Sequence, residues 1–232
     1  MSSALIDLSL ADLASSLQGA ADILARYNLD FACNGQRSLR DEALLRGLDA
    51  ASIASQIQQA GARPGGEPAW RYQAAGELVD HILGHLHARH LRLLPQLIDQ
   101  AWHIEQRYAD RPECPRGLAW QLCNLQRDLD QHLLREKQLL PLLPDPSSLA
   151  VAAMRLEHQA YAATLLELAR SNNDFNAPAR ACNTWVALYL GLWELRRDLA
   201  QHMHLENNLL FAASRSSRHA ANHTDRHFGG QS

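Results

Sequence analysis

Four long segments of this 232-residue chain carry apolar side chains at spacings of three and four residues, and this pattern most limits the possible fold. The segments span residues 74–108, 116–143, 147–171 and 178–213. Such spacing places the apolar side chains on one face of an α-helix. Because connections of about 5–10 residues join the segments, neighbouring helices must run antiparallel. The sequence therefore predicts an all-α fold with an up-down-up-down four-helix bundle.

A small helical module precedes the bundle in this interpretation. Residues 1–60 contain three short helical patterns, at 7–18, 19–27 and 39–60, and Ser38 is placed to cap the third. Residues 61–73 are predicted to be a linker, because three glycines and two prolines fall within 61–68. The bundle then occupies residues 74–213, and the polar residues 214–232 are expected to form a disordered tail.

Composition excludes several classes of protein. A formal net charge of −3 argues against an overall basic nucleic-acid-binding protein. No apolar stretch approaches the ~20 residues that span a bilayer. Residues 1–10 carry Asp7 but no Lys or Arg, which is unlike a signal peptide. We therefore expect a cytoplasmic protein with no nucleic-acid or membrane partner.

The four cysteines, Cys33, Cys114, Cys123 and Cys182, are scattered and form no CxxC pair. Their spacing excludes a zinc knuckle or an iron–sulfur ligand set. We expect the last three to be free and mostly buried thiols.

Histidines interrupt the apolar face of three long segments, at His132, His158 and His202. Glu136 and Glu206 follow the first and the last of these at i+4. Four residues rotate a helix only about 40° beyond a full turn, so each His–Glu pair points inward from one face. Two carboxylates among leucines would cost several kcal/mol each unless a positive charge compensates them. No Lys or Arg lies on the same apolar faces to pair with these carboxylates, so the sequence favours a bound metal cation as the compensating charge.

Four histidines and two glutamates suit two iron ions, with terminal imidazoles, bridging carboxylates and open coordination positions. A zinc hydrolase would need about three ligands and a water, which fits this set less well. The first segment must supply the fourth histidine. His87 and His90 both lie on apolar lines, and periodicity favours His87 only slightly; His81 and His85 have more polar neighbours.

These residues resemble the hemerythrin-like di-iron proteins for repair of iron centres, called iron–sulfur cluster repair proteins. The resemblance covers about residues 7–213. The matching motifs are YNLDFACNG at 27–35, DHIL at 80–83, LHARH at 86–90, HLLRE at 132–136, EH at 157–158 and HMHLENN at 202–208.

The resemblance implies which residues bind iron, and it selects His87 in the first segment. The implied terminal ligands are His87, His132, His158 and His202, and the implied bridging ligands are Glu136 and Glu206. Acidic residues near the site in this family match Glu157 and Asp128, which would line a cavity or an iron exit route. Solvated helix positions are the alternative for both.

The chain departs from the family at one loop. The family carries adjacent cysteines before a Gly-Gly pair, whereas this chain has Ala32-Cys33-Asn34-Gly35. Cys33 is either a packed residue or a thiol that binds iron or nitrosylated iron. In the second case we expect an exposed thiol whose pKa is lowered by the nearby helix start.

The resemblance implies a stress-response protein that helps repair iron–sulfur clusters after nitrosative or oxidative damage, by binding nitric oxide, supplying iron, or both. One alternative is a protein that binds nitric oxide and lowers its cytoplasmic concentration, and a less favoured one is a dioxygen carrier or sensor. The expected partners are nitric oxide or dioxygen, damaged iron–sulfur proteins and a second copy in a homodimer. Turnover as a nitric oxide reductase stays open.

Overall fold

The computed structural model describes residues 2–61, 70–142 and 148–212, in which helices predominate and no β-strand forms. The N-terminal helices are α1 (Ser2–Leu5), α2 (Leu10–Ser16), α3 (Ala20–Arg26), α4 (Leu39–Leu45) and α5 (Ala50–Gly61). They are followed by α6 (Ala75–His81), α7 (His87–Arg107), α8 (Leu118–Leu139), α9 (Ser148–Ser171) and α10 (Asn183–His204). A π-helical turn at Ile82–Leu86 joins α6 to α7, and a second at Leu205–Leu210 continues α10. Short 3-10 turns lie at Trp70–Tyr72, Leu140–Leu142 and Asn173–Phe175.

The all-α prediction is thus confirmed. Most of the predicted linker and the predicted tail lie outside the described residues, as do the ends of two predicted segments at 143 and 147. Within the described part of the chain, no helix combines the length and the apolarity needed to cross a membrane.

The chain divides into two compact units. Among the described residues, one unit comprises 2–61, 70–79, 139–142, 148–155 and 200–212, and the other comprises 80–138 and 156–199. The helices α9 and α10 each contribute residues to both units.

The second unit holds the helical bundle. On α7 and α10, Arg89 pairs with Asp198 at 2.7 Å, and the ring of Tyr108 lies 5.2 Å from that of Trp185. Tyr108 directly follows α7, and it contacts an earlier residue of α10 than Arg89 does, which makes the two helices antiparallel. Gly191 allows the close approach, because a Cβ there would lie 2.6 Å from a methyl group of Leu97.

The pair α8 and α9 is antiparallel by the same criterion. The Tyr161 hydroxyl donates to the carbonyl of Asp128 at 2.8 Å, and Arg135 donates to Glu157 at 2.8 Å. The segment 108–117 joins α7 to α8, and 172–182 joins α9 to α10. These connections give the up-down-up-down order that the sequence predicts.

Several predicted helix ends are wrong. The pattern at 39–60 forms two helices because Gly47 adopts a left-handed φ of 66°. The Leu48 N–H then bonds the Ala43 carbonyl at 2.8 Å, which is the usual end of a helix at glycine. The last long helix begins at Asn183 and not at 178, because a turn closed by the bond from Ala181 N–H to the Pro178 carbonyl precedes it. Pro95 lies inside α7, which continues to Arg107.

The first unit is built around a loop that precedes α4. Ser38 caps α4 as predicted, its hydroxyl accepting from the N–H of Asp41 at 3.1 Å. Just before it, the N–H of Ala11 donates to the carbonyl of Gly35 at 2.8 Å. A Cβ on Gly35 would lie 2.4 Å from the carbonyl oxygen of Phe31 and 2.8 Å from the Cβ of Ala11. Only glycine fits this close approach between the loop and α2.

We expect Gly35→Ala to lower the free energy of unfolding by about 2–3 kcal/mol, because the backbone must move to admit the methyl group. Gly47→Ala is the matched control, since nothing lies within 4 Å of an added Cβ and only its φ of 66° opposes alanine. That control should cost about 1–2 kcal/mol. Chemical denaturation measures both variants. Equal losses would contradict the close contact at Gly35.

A buried histidine at the end of α10 completes the first unit. The two ring nitrogens of His204 lie 3.1 Å from the Ser15 hydroxyl and 3.2 Å from the Phe31 carbonyl oxygen. The amide nitrogen of Asn208 lies 3.0 Å from the same ring. Burial lowers the pKa of His204 to about 4, although the Phe31 carbonyl acts in the opposite direction. His204 is therefore neutral in the folded protein near pH 7.

Acid should destabilise the protein through His204. An unfolded chain binds a proton at this residue near pH 6.5, whereas the folded chain binds it only near pH 4. The free energy of unfolding should therefore fall as pH drops between these values, by about 3 kcal/mol at most. Denaturation of His204→Gln should show a weaker loss over this range than the wild type or the exposed control His103→Gln. Parallel pH profiles would contradict the buried neutral state.

Candidate metal centre

Glu136 on α8 is the centre of a group of histidines in the second unit. Its side chain has no exposed surface, and its carboxylate faces three imidazoles from three different helices. The Nε2 atoms of His132 and His87 lie 2.6 Å and 2.9 Å from its oxygens, and that of His158 lies 3.6 Å away. The four-residue spacing on α8 brings His132 and Glu136 to one face, as the sequence predicts.

The protonation of His132 follows from its second ring nitrogen. Nδ1 lies 2.6 Å from a carboxylate oxygen of Glu157, so Nδ1 carries a hydrogen and donates it. In the neutral ring Nε2 is then an acceptor. This acceptor faces the Glu136 carboxylate at 2.6 Å, and two acceptors at that distance require a proton or a metal cation between them.

A metal ion fits this geometry. The Nε2 atoms of His132 and His158 lie 3.2 Å apart. Two ligand atoms about 2.1 Å from one ion and at right angles are about 3.0 Å apart. His132, Glu136 and His158 offer ligand atoms within 4.8 Å of one another. Imidazole and carboxylate ligands without thiolate suit iron, manganese or zinc.

The structure places His87 and His90 differently, although both are buried. His87 contacts Glu136, and it follows directly after the π-helical turn Ile82–Leu86, an irregularity that often marks functional sites. Burial alone does not show which of the two histidines is the better ligand candidate. The apolar spacing of the sequence likewise favours His87 over His90 only slightly. His85 is exposed and its ring stacks on that of His81 at 5.2 Å.

The second predicted pair lies in the first unit, at the end of α10. His202 Nε2 lies 3.5 Å from a carboxylate oxygen of Glu206. Both side chains are buried, with exposures of 1% and 0%. Glu206 is the second residue of the π-helical turn Leu205–Leu210.

Glu157 acts on the group through His132. Its carboxylate accepts from His132 Nδ1 and from Arg135, at 2.6 Å and 2.8 Å. Partial burial works to raise the pKa of Glu157, but the hydrogen bonds from Arg135 and His132 outweigh it and hold the pKa below its usual value. Contacts of this kind fix the orientation of a metal-binding imidazole.

Asp128 lies in a different environment. It is exposed and pairs with Arg127 at 3.0 Å. With Tyr161 it lines a cleft of about 480 Å³ between α8 and α9, and Glu157 is not part of that lining. Tyr161 in turn packs its ring 5.1 Å from that of His132. Of the two predicted accessory acids, Glu157 touches the histidine group and Asp128 borders the nearby cleft.

The sequence pattern missed a buried ionic group between α7 and α10. Asp198 is 2% exposed and pairs with Arg89 at 2.7 Å and with Arg197 at 2.9 Å. Burial raises the pKa of Asp198 despite these two guanidinium groups. The sequence does contain one indication that Asp198 is buried, because it lies four residues before His202 on the same face of α10.

Of the two alternatives for Cys33, the structure contradicts the exposed thiol with a lowered pKa and agrees with the packed residue. Cys33 is half-buried, and burial together with the charge of Asp30 raises its pKa to about 12, although Arg155 acts in the opposite direction. The loop itself explains this placement. Asp30 accepts from the Cys33 N–H at 2.9 Å, which fixes the loop, and Asn207 lies 3.9 Å from the sulfur. The thiol therefore packs beside the π-helical turn Leu205–Leu210 and is only partly exposed to solvent.

The other three cysteines are free thiols, as expected, but only Cys114 is fully buried. Cys123 and Cys182 are partly exposed. A hydrogen bond from Tyr108 lowers the pKa of Cys182, which precedes α10.

Comparison with known proteins finds two family matches and several relatives of similar length. Residues 78–214 match the hemerythrin HHE cation binding domain, and residues 6–61 match a domain of unknown function (DUF542). The iron-sulfur cluster repair protein YtfE of Dickeya chrysanthemi is 36% identical over 210 residues, which cover 88% of this chain and 95% of the relative.

Two further relatives of the same name match over similar lengths. The protein of Escherichia coli O157:H7 is 36% identical over 211 residues, and that of Citrobacter koseri is 34% identical over 210 residues. Each alignment covers 88% of this chain and 95% of the relative. The first domain match contains all six predicted ligands, and the relatives align along nearly their whole length. The chain belongs to the iron–sulfur cluster repair proteins, a family with a hemerythrin HHE cation binding domain.

Proposed function

We propose that this chain is a non-heme di-iron protein that helps restore iron–sulfur clusters damaged by nitrosative or oxidative stress. Its ligands are His87, His132, His158 and His202, with Glu136 and Glu206 as bridging carboxylates. When bound, a ferrous pair supplies open positions for nitric oxide and iron for repair. The relatives named above carry repair in their names, and this chain matches them over 88% of its length.

The observation that carries the proposal is the acceptor pair at Glu136. His132 Nε2 faces the buried carboxylate at 2.6 Å while its Nδ1 donates to Glu157. This arrangement favours a cation at the point where the imidazoles converge. In a bundle built of leucines, a metal ion also compensates the cost of burying the carboxylate.

The assignment of His202 and Glu206 is supported by the helix that carries them. Asp198 of α10 pairs with Arg89 of α7, and the two proposed ligands follow at four-residue steps on the same face of the helix. Both are buried, and both lie within the matched cation binding domain.

A second candidate function is nitric oxide scavenging without repair. The specific observation in its favour is the Cys33 thiol, whose pKa burial raises to about 12. A protonated, half-buried thiol is a poor ligand and a poor nucleophile. Binding of nitric oxide at the iron pair alone would not need it.

We expect Glu136→Ala and Glu206→Ala to lower iron content from about two per chain to below one, because each removes a bridging ligand. Glu157→Ala should retain more iron at saturation, with an affinity about 10–100-fold weaker, because it only orients His132. Metal analysis and chelator competition measure the two effects. Glu167→Ala, an exposed carboxylate on α9, is the control. Equal losses in all four variants would refute the ligand assignment.

Repair and scavenging are separated by one experiment on the full chain. The protein is loaded anaerobically with ferrous iron and titrated with nitric oxide, and binding is followed by optical and EPR spectroscopy. It is then incubated with an enzyme whose iron–sulfur cluster nitric oxide has damaged. We expect that enzyme to regain activity with the wild type and not with Glu206→Ala.

The same experiment on Cys33→Ser tests whether the thiol takes part. Iron content and nitric oxide binding should stay near wild type, because the thiol lies outside the proposed ligand set. Loss of cluster restoration in this variant alone would assign a relay role to Cys33. Nitric oxide binding by the wild type without any restoration would favour the scavenging function.

A further inference from the structure

The π-helical turn Leu205–Leu210 carries both a proposed iron ligand and the side chains that hydrogen-bond the loop before Cys33. Glu206, its second residue, is a proposed iron ligand. The next two residues donate to the loop before Cys33: Asn207 Nδ2 donates to the Ala32 carbonyl at 3.3 Å, and Asn208 Nδ2 donates to the same oxygen at 3.0 Å. Asn208 also donates to the Phe31 carbonyl at 3.1 Å. One turn of backbone thus sets both the carboxylate and the position of the loop.

A π-helical turn needs support from outside the helix. Its hydrogen bonds span five residues, as in the bond from the Phe211 N–H to the Glu206 carbonyl, and such turns are rare in helices. An extra residue in the turn also changes the direction of every side chain that follows. Without support, the backbone can return to regular α-helical bonding and rotate these side chains away.

Arg155 on α9 supplies this support. Its Nη2 donates to the carbonyl of Asn207 at 2.6 Å, and its guanidinium lies 5.6 Å from the centre of the Phe211 ring. The first contact fixes the backbone just after Glu206, and the second fixes the residue that follows the turn. A cation at the C-terminal end of a helix is also favoured by the helix dipole.

We propose that Arg155 is a positioning residue for both the Glu206 carboxylate and the Cys33 loop, because it binds the π-helical turn that carries Glu206 and the two asparagines. The part that concerns Glu206 rests on the proposed function. The part that concerns Cys33 rests only on the hydrogen bonds of Asn207 and Asn208. Loss of the guanidinium should therefore weaken iron binding and expose the thiol in the same variant.

The test uses the full chain with Arg155→Met, which removes the donors and retains much of the side-chain volume, and Arg155→Lys, which retains the charge and a donor. Arg170→Met, an exposed arginine on the same helix, is the control. Chelator competition gives the iron affinity, and optical spectroscopy gives the signature of the bound iron. Mass spectrometry of the Cys33 peptide gives the rate of alkylation by iodoacetamide.

We expect Arg155→Met to bind iron about 10-fold more weakly, which is about 1.4 kcal/mol, with an altered spectrum. Its Cys33 should be alkylated about 10-fold faster, with or without iron, because release of the loop exposes the thiol and this outweighs the loss of the Arg155 charge, which lowers the pKa of Cys33. Arg155→Lys should recover most of both properties, and Arg170→Met should match the wild type. If Arg155→Met loses its helical circular dichroism, the shorter and uncharged Arg155→Gln takes its place with the same expected direction.

Wild-type iron affinity, spectrum and alkylation rate in a folded Arg155→Met or Arg155→Gln variant would overturn the proposal. Glu206→Ala, measured in parallel, separates this failure from failure of the proposed function. If Glu206→Ala loses iron while the Arg155 variant does not, the positioning role is wrong and the ligand assignment stands. If Glu206→Ala keeps its iron, the ligand assignment is wrong, and the alkylation rate alone decides whether Arg155 positions the loop.

Discussion

The buried carboxylate of Glu136 is the constraint on which the arrangement of the bundle depends. It has no exposed surface, and taking such a charge out of water costs several kcal/mol unless a positive charge or strong donors compensate it. Three helices each place one imidazole beside it, and the Nε2 atoms of His132, His87 and His158 lie 2.6–3.6 Å from its oxygens. The His132–Glu157 bond then decides which nitrogen of His132 faces inward. A buried carboxylate surrounded by imidazoles gains stability when a metal cation is present, so metal binding would be linked to folding.

The end of α10 serves two purposes because its residues alternate between opposite faces. His202 and Glu206 are four residues apart and share one face, whereas His204 and Asn208 share the other. A step of two residues rotates a helix by about 200°, which separates the two pairs. The second pair contacts the loop of the first unit through His204 Nδ1 and Asn208 Nδ2. The seven-residue motif HMHLENN therefore contains two pairs: His202 and Glu206 are the proposed ligands, and His204 and Asn208 hydrogen-bond the loop.

The bundle was predictable from the sequence because its helices are long and their apolar spacing is regular. The His–Glu pairs were predictable for the same reason, since i+4 spacing fixes their common face. The π-helical turn Leu205–Leu210 was not, because the contact that supports it comes from Arg155, 52 residues away, and no local pattern reports such a contact. The end of α4 at Gly47 was indicated by the sequence, because glycine is the usual residue after a helix end. The apolar pattern continues past Gly47 through Leu48, and this obscured the break. The burial of Cys33 depends on Asn207, 174 residues away, and no local pattern reports such a contact.

The state of Cys33 limits the chemistry that the loop can perform. Burial raises the pKa of the thiol to about 12, so the thiol is protonated at pH 7. Asn207 and Asn208 hydrogen-bond the loop backbone next to the thiol, and Asn207 also lies 3.9 Å from the sulfur, so these contacts hold the thiol in its packed position. The same turn of backbone carries Glu206. If ligand binding changes the turn, it must change access to the thiol, and a change at the thiol must act on the ligand by the same free energy. Under the proposed ligand assignment, Cys33 can therefore respond to a metal ion bound at Glu206 without being one of its ligands.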